Sequence, residues 1–135
     1  MINEWQPAKA STTSPIDLPL LQKFAQLGEQ SSQQSDTLAS QVSPEQQQQA
    51  SAWLHLQEAD WQPVLQQLQP AQLFPLAIFF TLAEQQFSGW QCGKRNPAIW
   101  IFRWLRKHDQ LPDKERIRQL KKLTDNRYIP YGSVL

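Results

Sequence analysis

Most of the chain's basic residues fall between Gly93 and Lys122, and their pattern points to anion binding. The loop Gly93-Lys94-Arg95-Asn96-Pro97 sets two adjacent cations at a helix start. A glycine lets backbone amides converge, and a helix N-terminus adds partial positive charge, so Lys94, Arg95 and Asn96 are a candidate phosphate or carboxylate site. The Gly-Lys-Ser/Thr order of a P-loop is absent. The competing reading is a tight turn with solvated cations.

Beyond the loop, Arg103, Arg106 and Lys107 share one side of a helical wheel. Lys114, Arg118, Lys121 and Lys122 recur at i, i+4, i+7 and i+8, which gathers four cations on one side of a second helix. Such stripes can displace the counterions condensed on nucleic acid, and aromatic side chains near them are of the type on which single-stranded bases stack. Trp100, Trp104, Tyr128 and Tyr131 are close in sequence. The two tryptophans flank an apolar arc, however, and are expected to serve the core first. A helix-turn-helix reading of these two helices is weak, because the connector lacks a turn glycine and Pro112 intrudes.

Other chemistry finds little support. His55, Cys92 and His108 have no paired spacing that predicts a metal site or a Cys-His nucleophile. No acidic pair has a setting that would tune it for acid-base work. The expectation is a non-enzymatic protein with no catalytic residue, no metal, no cofactor and no small-molecule substrate.

Charge distribution strengthens the binding reading. The chain of 135 residues has a formal net charge of +1, yet residues 1–93 carry two basic and eight acidic groups, and residues 94–135 carry eleven basic and four acidic. The halves are therefore −6 and +7, a split that points to a partner-binding half of one sign. Mutual neutralisation across the fold is the alternative. A single cysteine allows no internal disulfide. The N-terminus has no positive segment followed by an apolar one, and the longest nearly apolar run, Leu73 to Ala83, is short of the ~20 residues that span a bilayer. A cytoplasmic protein without membrane contact is expected.

Local patterns along the chain set the secondary structure that holds these residues. Residues 1–42 are rich in Ser, Thr and Gln and predict a disordered arm. Within it, Leu20, Leu21, Phe24 and Leu27 have helical spacing, so Asp17 to Leu27 is a possible docking or transient helix that Gly28 would stop. Structure should begin at Ser43-Pro44-Glu45-Gln46, which has the form of a capping box with proline at the first helical position. Asp60 should cap a second helix with Trp61, Val64, Leu65 and Leu68 on one face. Pro70 and Pro75 predict a separate turn or a kinked approach to a helix from Leu76 to Phe87 that is apolar on nearly every side.

Gly89 and Gly93 mark a loop, after which Asn96 and Pro97 specify the start of an amphipathic helix to Lys107. A last helix starts at Pro112 and Asp113 and turns Ile117, Leu120 and Leu123 inward. Tyr128, Ile129 and Tyr131 should pack back on the domain.

The sequence thus predicts an all-α bundle of about five short helices over residues 43–135, with Leu76 to Phe87 and Pro97 to Lys107 as its central pair. The expected function is a binding module whose basic C-terminal half engages an anionic partner, nucleic acid ahead of an acidic protein surface. The alternative is a protein adaptor or regulator that uses the N-terminal arm or an apolar face.

Overall fold

The computed structural model describes residues 16–31, 41–87, 89–90, 93–122, 124, 126 and 129. Six α-helices lie among them: α1 (Leu18–Ser31), α2 (Pro44–Ser51), α3 (Glu58–Gln67), α4 (Pro70–Gln86), α5 (Pro97–Lys107) and α6 (Lys114–Lys121), with 3₁₀ turns at Ala52–His55 and Gly93–Arg95. No strand occurs among the described residues, so the architecture is all-α as expected. None of these helices is long and apolar enough to cross a membrane.

Helix starts follow from local donor and acceptor pairs. Ser43 Oγ accepts from the Gln46 amide at 3.1 Å and Gln46 Oε1 accepts from the Ser43 amide at 3.2 Å, the expected capping box. Asn96 Oδ1 accepts from the Ala98 amide at 2.8 Å, and Asp113 Oδ1 from the Arg116 amide at 2.9 Å. Two starts fall earlier than expected. Asp60 lies inside the first turn of α3, where its Oδ2 accepts from the Gln57 amide at 2.9 Å, so Gln57 rather than Asp60 precedes the helix. Helix α4 runs unbroken from Pro70, whose approach is fixed by the Gln69 amide donating to Gln72 Oε1 at 3.0 Å. Pro75 removes a single ladder donor, and the carbonyl it leaves belongs to Ala71, an exposed residue that water can reach.

The core is built on α4, in which every residue from Leu73 to Glu84 is buried. Phe24 of α1 stacks on Phe79 with ring centroids 4.1 Å apart, Trp61 of α3 meets Phe80 edge-on at 5.6 Å, and Phe74 meets Phe102 of α5 at 5.8 Å. Trp90, from the loop after α4, is also buried and packs on Phe87 at 4.9 Å. The central pairing therefore has a third member. Alongside α4 and α5, α1 makes the most extensive helix contact with α4.

That result moves the expected start of the folded domain. The helix anticipated at Asp17 to Leu27 is α1, and its Leu20, Leu21, Phe24 and Leu27 are buried in the core instead of being held out for a partner. Ile16 is buried too, so the core begins well before residue 43. The rest of the anticipated arm, residues 1–15 and 32–40, lies outside the described residues. Gly28 does not stop the helix. A Cβ there would stand 1.8 Å from the Pro75 carbonyl oxygen, so the glycine permits two backbones to approach.

At the other end α5 closes with Asp109 at φ 58°, the Gln110 amide donating to the Leu105 carbonyl at 2.7 Å and the Asp109 amide to the Arg106 carbonyl at 3.2 Å. These two bonds form a Schellman motif. In α6 Leu120 is buried and Ile117 half-buried, and Ile129 is buried beyond it, its carbonyl accepting from Lys121 Nζ at 2.6 Å. Leu123, Tyr128 and Tyr131 lie outside the described residues.

Two substitutions check this account by urea unfolding. Gly28→Ala is expected to destabilise by about 3 kcal/mol, the upper end for overpacking, because the obstacle is backbone. Asp109→Gly is expected to stabilise by about 0.5 to 1 kcal/mol, because glycine occupies positive φ without the Cβ penalty.

Candidate anion-binding surface

The loop expected to receive an anion is already paired with one from the protein itself. The Gly93 amide donates to Glu84 Oε2 at 2.8 Å, and Asn126 Nδ2 donates both to Glu84 Oε1 at 3.0 Å and to the Gly93 carbonyl at 2.8 Å. Glu84 is 6% exposed, so these charge-assisted bonds hold a buried carboxylate at the end of α4. Gly93 takes φ 55° to turn its amide there. Asn96, placed in the site by its sequence context, is 1% exposed; its Nδ2 donates to the Phe80 carbonyl at 3.2 Å while its Oδ1 caps α5. Of the anticipated loop cations, Arg95 is exposed, and the Lys94 side chain lies outside the described residues.

The basic stripe on α5 divides. Arg103 turns toward α3 and pairs with Glu58 at 3.0 Å, its guanidinium carbon 5.4 Å from the Trp100 ring centroid. Arg106 and Lys107 are exposed in the last turn, where cations complement the negative end of the helix dipole. On α6, Lys114, Arg118 and Lys121 are exposed, as is Lys122 just past its end. Arg118 also pairs with Glu115 at 2.8 Å, and Lys121 holds the Ile129 carbonyl. Arg116, outside the stripe, lies over Phe74 at 4.6 Å from the ring centroid. Two acidic residues at the start of α6 have structural tasks, since Asp113 caps the helix and Glu115 is paired with Arg118 within it.

A cleft of about 460 Å³ lies between these elements, and nothing in the sequence marked it. His55 and Gln57 line it from the segment joining α2 to α3, Glu58 from the start of α3, Arg95 from the 3₁₀ turn, and Trp100 with Arg103 from α5. Two stretches about forty residues apart in the chain, 55–58 and 95–103, make this site, so the pairing of the two was not visible in the sequence. Trp100 is half-buried, and its Nε1 is buried with no hydrogen-bond partner among the described residues. The other imidazole is elsewhere: His108 stacks on Trp104 at 4.1 Å, with Nδ1 2.9 Å from the Trp104 carbonyl. Cys92 lies outside the described residues, among which no group of three or more His, Cys, Asp and Glu side chains gathers as a metal site.

Comparison with protein-family models, with curated proteins and with solved structures finds no match.

The Glu84 network is testable apart from any ligand. Glu84→Leu strands the Gly93 amide and one Asn126 donor, and is expected to cost about 3 kcal/mol in urea unfolding, with faster hydrogen exchange at the Gly93 amide. Glu84→Gln keeps one acceptor and should lose less.

Proposed function

We propose that this chain is a non-enzymatic binding module whose basic C-terminal helices bind the phosphate backbone of nucleic acid. The observation that carries the reading is the exposure of Lys107 at the end of α5 together with Lys114 at the start of α6 and Lys122 just past its end, beside Arg118 and Lys121, which are exposed too but already bond Glu115 and the Ile129 carbonyl. Cations that keep their hydration until a polyanion arrives gain from the release of its counterions, whereas a neutralised surface does not. The Arg103–Glu58 pair joins the basic and acidic halves, so some mutual neutralisation occurs there, at a residue facing α3. An acidic protein partner would use the same cations and is the outcome to separate by experiment. Docking through the helix at 17–27 is not adopted, because the side chains that would dock are buried in the core. Nucleic acid is also a partner met in the cytoplasm, the compartment expected from the sequence.

Fluorescence anisotropy with random duplex and single-stranded probes over a salt series provides the test. Binding should weaken with a log–log slope of about −0.9 per phosphate neutralised on duplex or about −0.7 on single strand. Lys114→Gln with Lys122→Gln should leave stability within about 0.5 kcal/mol, both being exposed, and should make the slope shallower by about two phosphates' worth. No binding at low salt, or an unchanged slope in the double variant, would overturn the reading.

A further inference from the structure

The cleft beside Trp100 gathers an aromatic flank, two guanidinium groups and a neutral amide in one concavity. We infer that it is a nucleotide seat, in which one base lies against the Trp100–Arg103 pair and its phosphate is met by Arg95. Its volume of about 460 Å³ falls within the roughly 300 to 1,000 Å³ of small-ligand pockets. The Arg103 guanidinium lies over the Trp100 ring, 5.4 Å from its centroid, so it covers that indole face and offers its own outer plane, a surface on which unstacked bases rest. Arg95 is exposed on the same cleft and makes no ion pair among the described residues, which suits a phosphate arriving from solvent. Gln57, also at the rim and exposed, carries an amide able to donate to and accept from a base edge.

Glu58 sets the orientation. As the cleft's carboxylate it already pairs with Arg103, so a phosphate is repelled from that end and drawn to Arg95, while the flat base meets the paired guanidinium. A ligand with phosphate alone would forfeit the aromatic surface, and one with base alone would forfeit the cation.

The seat deepens the nucleic-acid reading and rests on it for the source of the nucleotide, a single strand whose bases are unstacked, but free mononucleotide tests it separately. Adenosine 5′-monophosphate, adenosine and inorganic phosphate would each be titrated into the full chain while the Trp100 indole resonance, assigned with Trp100→Phe, is followed by NMR. Mononucleotide should move that resonance saturably, and adenosine and phosphate should bind about tenfold more weakly or less. Arg95→Ala, an exposed substitution that keeps the proposal testable should Trp100→Phe not fold, should weaken the mononucleotide by about tenfold, while Lys114→Gln with Lys122→Gln should leave it unchanged. No shift at millimolar mononucleotide overturns the seat, and so does an equal response to inorganic phosphate, which would make it an anion site only. Oligonucleotide binding that persists without any mononucleotide binding overturns the seat while sparing the basic helices; mononucleotide binding without oligonucleotide binding supports the seat and removes the helices' role.

Discussion

Helix α4 has no polar face to turn toward water from Leu73 to Glu84, and a helix apolar all round must be covered all round. Most other elements are answers to that demand. α1 crosses it closely enough that Gly28 meets the Pro75 carbonyl, α5 brings Phe102 to Phe74, α3 brings Trp61 to Phe80, and the following loop folds Trp90 under the end. Phe24, Phe79, Phe80, Phe87 and Trp90 then form one continuous set of tilted and stacked rings. Such rings bury large areas in few residues, which matters in a chain whose helices α2 and α3 are short and rich in glutamine.

The end of α4 carries a polar problem that this arrangement creates. Glu84 continues the buried face with a carboxylate, and a buried charge needs donors around it. The Gly93 amide and Asn126 are among the groups that answer it, so the start of α5 and the chain after α6 are tied to the same side chain. What reads in sequence as a glycine turn prepared for an external phosphate is physically what was expected, a convergence of donors on an oxygen anion. Its anion simply comes from within the chain.

Sequence was informative wherever a signal is local. The capping box at Ser43, the Asn96 cap and the all-round apolar pattern of α4 each depend on residues within a turn or two. It misled where a residue type has two uses. Gly28 has the composition of a helix stop but the neighbourhood of a close crossing, and Asp60 caps from inside the helix as readily as from before it. Leu20, Leu21, Phe24 and Leu27 showed the correct helix, yet their polar surroundings in sequence gave no hint that α4 lacked a cover on that side. The cleft was illegible for a stronger reason: its walls come from two stretches, 55–58 and 95–103, that only the fold brings together.

The cations show how tertiary structure sorts residues that a helical wheel treats alike. Arg103 lies on the side of α5 that faces α3, so its charge is matched by Glu58 and held against an indole, a geometry suited to flat, partly desolvated ligands. Lys114 and Lys122 sit at the two ends of α6, which has Leu120 as its buried anchor, so their charge remains in water and acts as a screened, non-directional attraction. The first kind of contact can distinguish a base from other surfaces, whereas the second can only register the density of negative charge. A polyanion would therefore be gathered by α6 and the end of α5 without regard to sequence, and any discrimination would have to arise at the cleft.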